Sequence, residues 1–148
     1  MALLVNEALG EGAILLQEKA TSWRECFQLA GNALVASQRV TESYIQEMIQ
    51  AFEELGPYMV IAPGIALAHA RPSKSVLETG LSLVTLSEPV VFGSVNNDPV
   101  RLVIGLAAVD HDSHIDLMAA LSELLMDETK VNILLQADKE PEVRQTIS

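Results

Sequence analysis

The chain has 148 residues, 49% hydrophobic and 20% charged, the composition of one folded domain and not of a disordered or low-complexity segment. Nine Lys and Arg against twenty Asp and Glu leave a formal charge of −11, which repels phosphate backbones and anionic headgroups and argues against nucleic-acid and membrane-surface binding. Cys26 is the single cysteine, so an internal disulfide framework is excluded and a reducing compartment fits better than a secreted one.

The start, Met1–Glu7, lacks the basic region of a signal peptide. The longest uncharged apolar run, Leu102–Val109, is far short of the ~20 residues of a membrane span. A cytoplasmic protein without membrane insertion is expected. Ser22-Trp-Arg-Glu25 has capping-box form and opens the first clear helix, with Trp23, Cys26, Phe27, Ala30, Ala33 and Leu34 on one apolar stripe. Cys26 lies in that stripe and reads as core packing. A second helix starts near Thr41, runs through Ile45, Met48, Ile49, Phe52 and Leu55, and stops at Gly56-Pro57.

The central stretch, Gly56 to Val109, holds five of the eight glycines and five of the six prolines, and there the strands are expected. Ile65–His69 alternates and places His69 on the face of Ile65 and Leu67. Leu77, Thr79, Leu81, Leu83 and Thr85 alternate likewise until Ser87-Glu-Pro89. Val100–Ala108 is nearly continuously apolar, as a strand covered on both faces should be. A third helix follows with Leu117, Leu121, Leu124 and Leu125 on one side, and Lys139–Ser148 reads as a last short helix. This order predicts an α/β fold over residues 1–148, a single domain whose mixed sheet of about five strands carries helices on both faces.

All three histidines fall where elements change. His69 ends a strand and is followed by Arg71-Pro72, which suits either a crevice-facing functional residue or a rim histidine with no task. His111 and His114 lie in Asp110-His-Asp-Ser-His-Ile-Asp116. Histidines three apart among aspartates could ligate zinc, but no second constellation supplies further ligands. Ser113-x-x-Asp116 as a capping box would explain the same residues and put His114 in a helix's first turn. No nucleophile elbow, phosphate-binding loop or dinucleotide fingerprint occurs. A strand-end histidine, an arginine two residues on and a histidine at a helix start suit the holding of a phosphoryl group. Three acidic and three basic residues in the central stretch suggest a site region that is neutral to slightly basic.

The segment Gly56-Pro-Tyr-Met-Val-Ile-Ala-Pro-Gly-Ile-Ala-Leu-Ala-His-Ala-Arg-Pro72 resembles the phosphorylation motif of the mannitol/fructose-type (type 2) EIIA components of the bacterial phosphoenolpyruvate-dependent sugar phosphotransferase system. The resemblance continues through Leu81–Gly93, Asn97-Asp-Pro-Val100, Ala107-Ala-Val-Asp110 and His114, and its wording is most similar to the L-ascorbate branch. It implies that His69 carries the phosphoryl group on Nε2 and that His114 lies beside it and steadies it. It implies a histidine-containing phosphocarrier protein (HPr) as donor, a cysteine on a separate IIB component as acceptor, a membrane IIC transporter beyond that, and no cofactor or metal. Two departures stand out: Ala68 replaces the family's usual proline, and Glu53-Glu54 stand where other branches carry an arginine, so Arg71 is assigned the missing positive charge. The rival readings are a regulatory, nitrogen-related phosphoprotein, an EIIA for another sugar or polyol, a metal hydrolase using the Asp110–Asp116 cluster, and an interaction module without chemistry.

Overall fold

One five-stranded sheet organises the chain, seen in a computed structural model that describes residues 2–148. The elements run α1 (Ala2–Ala8), β1 (Leu9–Glu18), α2 (Trp23–Ala36), α3 (Ser43–Leu55), a 3-10 turn (Pro57–Met59), β2 (Val60–Ala62), β3 (Ile65–His69), β4 (Gly80–Val90), β5 (Val100–Ala107), α4 (His111–Leu125), α5 (Glu128–Gln136) and α6 (Glu140–Ile147). The spatial order is β1-β4-β5-β3-β2; β1 is parallel to β4 and β3 to β5, while β4–β5 and β2–β3 are antiparallel. The sheet is therefore mixed, as the element order predicted.

Period-two alternation divides the core. Ala66, Ala68, Val84, Val103 and Ala107 point to the face covered by α2 and α3, where Phe27, Leu34, Tyr44 and Met48 are buried. Ile65, Leu67, Leu81, Leu83, Leu102, Ile104 and Leu106 point to the other face, under α1, α4, α5 and α6. Small residues on the α2 side bring the helix close: Ser82 Oγ donates 2.8 Å to the Ala30 carbonyl, and a Cβ on Gly105 would stand 2.2 Å from that same Oγ.

Several sequence-based expectations need correction. The chain does not open its regular structure at Ser22, because α1 and the long strand β1 precede it. Within β1, register shifts lie between Leu9 and Ile14 and between Leu15 and Glu18, and these irregularities erase the alternation that marks a strand. Leu77 is exposed and outside β4, which starts at Gly80 and runs through Ser87-Glu-Pro89 to Val90 across a further register shift. Leu55 ends α3 exposed, not in its buried stripe. At α2, Ser22 caps the Glu25 N–H as expected, but Glu25 reaches back to Thr21, one residue before the cap.

Candidate functional site

β3 and β5 run parallel, and their carboxyl ends open onto a cleft of roughly 660 Å³. Such a crevice beyond parallel strand ends is where α/β sheets place ligands. His69, the last residue of β3, pairs with Leu106 of β5 and lines the cleft, half-buried. β5 then turns through residues 108–110 into α4, so strand pairing brings the α4 N-terminus beside His69. The rings of His69 and His114 lie 5.8 Å apart between centroids, inclined by 46°.

The His69 ring is held by its own strand. Its Nδ1 lies 3.1 Å from the Leu67 carbonyl oxygen. A carbonyl can only accept, so Nδ1 carries the proton and the lone pair is on Nε2. His114 has its pKa lowered from 6.5, first by burial and then by the neighbouring charges of His69 and His111. It is thus neutral near pH 7, able to offer a donor on one ring nitrogen and an acceptor on the other.

The cap of α4 differs from the expected one. Asp110, not Ser113, is the N-cap: its carboxylate accepts from the Ser113 N–H at 2.8 Å, and that bond holds the Asp110 pKa below the usual carboxylate value. α4 consequently begins at His111, which lines the cleft together with His114, although the sequence offered no task for it. Arg71 lines the cleft as well, exposed and without an ion pair among the described residues.

Sequence reasoning missed the contribution of α3. Tyr44 is fully buried, accepts 3.0 Å from the Ala70 N–H and donates 2.8 Å to the Leu106 carbonyl, and burial pushes its phenol up to about 12. It joins the ends of β3 and β5 directly behind His69. Its signal was a tyrosine among the Ile and Met positions of a buried stripe, a residue whose hydroxyl needs a partner there. Glu47 and Glu54, from the same helix, reach the cleft too. The expectation of a neutral to slightly basic site is therefore overturned: two carboxylates face one guanidinium, because the polar side of α3, distant in sequence, forms one wall.

Cys26 is fully buried on α2, its thiol pushed up to about 12 chiefly by burial, and it takes no part in the cleft. Among the described residues no three His, Cys, Asp or Glu side chains converge as metal ligands would, and no helix is long and apolar enough to cross a membrane.

A nucleophilic imidazole nitrogen at a rigid strand end, a neutral second imidazole and a nearby guanidinium can together capture a phosphoryl group. The chain belongs to the phosphoenolpyruvate-dependent sugar phosphotransferase system EIIA 2 family, whose profile matches residues 7–148. That membership makes it a phosphotransferase component of the sugar phosphotransferase system. It is 39% identical over 144 residues to the mannitol-specific cryptic phosphotransferase enzyme IIA component of Escherichia coli K12, covering 97% of each chain. It is 38% identical over 145 residues to the ascorbate-specific EIIA component of the same strain, covering 97% of this chain and 94% of that one. Among solved structures it resembles enzyme IIAMtl in its complex with phosphorylated enzyme IIBMtl from Escherichia coli, with a TM-score of 0.82, 32% identity, and 94% and 96% of the two chains covered.

Proposed function

We propose that this protein is a cytoplasmic phosphohistidine carrier that accepts a phosphoryl group from HPr on His69 Nε2 and passes it to a cysteine of a IIB component, for L-ascorbate uptake through a IIC transporter. The observation that carries the reading is the Nδ1–H bond of His69 to Leu67, which leaves Nε2 as the nucleophile in the cleft. In the first step Nε2 bonds to phosphorus as the P–N bond to the donor histidine breaks, and that nitrogen leaves with the electron pair. In the second, the acceptor thiolate attacks phosphorus and Nε2 leaves. Arg71 pairs with the phosphoryl oxygens and His114 hydrogen-bonds to them, so positioning and charge stabilisation supply the catalysis without a metal or cofactor. The carboxylates of Glu47 and Glu54 oppose a phosphoryl dianion held in the cleft, which suits a relay that must release its cargo.

A separate IIB partner is supported by the structural relative, which is complexed with one. The ascorbate assignment is supported by Gly56-Pro-Tyr58, His69-Ala-Arg-Pro72 and Asn97-Asp-Pro-Val100. Incubated with phosphoenolpyruvate, enzyme I and HPr, the protein gains the mass of one phosphoryl group, lost in acid and stable in alkali. His69→Ala abolishes the gain and His111→Ala does not. Phosphorylation of the His69→Ala variant, or none of the native protein, overturns the reading. Transfer to ascorbate IIB in preference to mannitol IIB tests the sugar, and transfer to neither supports the regulatory alternative.

A further inference from the structure

The segment between His69 and β4 is fastened to α3 at two places. At its start, the Tyr44 hydroxyl accepts from the Ala70 N–H. At its far end both oxygens of Glu47 are engaged: Oε1 accepts 2.7 Å from the Ser73 hydroxyl and Oε2 accepts from the Ser75 hydroxyl. Ser75 is buried, its N–H donates 3.1 Å to Ser73 Oγ, and its carbonyl accepts 2.8 Å from the Thr41 N–H. Arg71-Pro72 is the span between these two fixings, with proline restricting the backbone on its far side. The guanidinium itself has no ion-pair partner to hold it among the described residues.

We propose that Glu47 is a positioning residue for phosphoryl transfer: its carboxylate, by clamping Ser73 and Ser75, holds the segment that carries Arg71 so that the guanidinium faces Nε2 of His69. The assignment rests on the phosphocarrier reading above. It gives a task to a carboxylate that otherwise only opposes an incoming phosphoryl group. Backbone entropy makes the same point: an unfastened segment must be ordered at each transfer event, whereas a clamped one already carries the arginine in place.

The test is a mutant cycle read by the rate of phosphoryl transfer from phosphorylated HPr to Glu47→Ala, Arg71→Ala and the double variant, with thermal melts of each. Glu47→Ala slows transfer by up to about a hundredfold, the scale of a group misplaced by an ångström. In the Arg71→Ala background the same change has no further effect, because Glu47 acts through Arg71. Glu47→Gln restores most of the rate, since its carbonyl accepts from one serine and its amide donates to the other. Ser73→Ala/Ser75→Ala reproduces the loss while leaving Glu47 in place, which guards against a Glu47→Ala variant that fails to fold. A native rate for Glu47→Ala, or losses that multiply in the double variant, overturns the proposal and leaves the carrier reading intact. Absence of phosphoryl uptake by the native protein overturns the carrier reading itself.

Discussion

Tyr44 ties Ala70 to Leu106: one phenolic oxygen accepts from the first N–H after His69 and donates to the carbonyl opposite His69 in the sheet. The strand ends that form the cleft are thus joined through a side chain where their ladder stops. Removing the hydroxyl leaves a half-buried N–H and a buried carbonyl without this partner. Tyr44→Phe is expected to cost about 1–3 kcal/mol in denaturant unfolding. Phosphoryl transfer falls as well, since Ala70 adjoins His69. Native stability of the variant would show that neither group depends on the phenol.

The lowered pKa of His114 has a definite sign. The folded state binds its proton less readily than the unfolded chain, whose value is near 6.5. Its contribution to stability is complete above that pH and is lost as pH falls through 6.5 toward the folded value. Histidine NMR titration should place His114 below 6.5. On the phosphocarrier reading, phosphorylation of His69 puts an anion beside the His114 ring, so the His114 value rises in the phosphoprotein. An unchanged titration curve on phosphorylation would separate His114 from the phosphoryl group. In transfer assays, His114→Ala accepts from HPr but donates to IIB more slowly.

Gly105 is required by space. An alanine Cβ there would lie 2.2 Å from Ser82 Oγ and 3.3 Å from a Leu34 methyl, both fully buried. Gly105→Ala is expected to destabilise by about 1–3 kcal/mol through overpacking. Ser82→Ala relieves the closest approach, so the double variant should be more stable than the sum of the single losses implies. Additive losses would locate the strain elsewhere.

Cys26 provides a chemical check on packing. With its thiol fully buried and its pKa about 12, thiolate reagents at pH 8 should leave the native protein unlabelled and label one site per chain after unfolding. Rapid labelling of the native form would mean that α2 opens readily from the sheet.

How far the sequence could be read varied with the distance over which each feature is decided. Ile65–His69 and Val100–Ala107 were legible because strand patterning and the flanking Pro63-Gly64 and Arg71-Pro72 are local. The stripe of α2 was legible for the same reason, down to Cys26. β1 was not, since its register shifts break the alternation, and Gly12, at φ 89°, interrupts the run with a backbone few other residues adopt. Asp110 and Ser113 both satisfy the composition of a helix cap, and only backbone angles choose between them. The approach of His114 to His69 followed from a family likeness, whereas Glu47, Glu54 and His111 entered the cleft through the docking of α3 and the earlier start of α4. No local pattern announces which polar side of a helix will look onto a strand end.

Placement of His69 as the final residue of β3, in register with Leu106 and with its ring bonded to Leu67, has a kinetic consequence. On the phosphocarrier reading the nucleophile belongs to the sheet and not to a loop, so the freedom surrendered to aim it is surrendered at folding. An approaching donor meets a target whose orientation does not fluctuate with the surface segments around it. Relay speed should then be insensitive to the suppleness of the strand that carries His69, and should respond to that of the surface segments only through the groups they carry, such as Arg71.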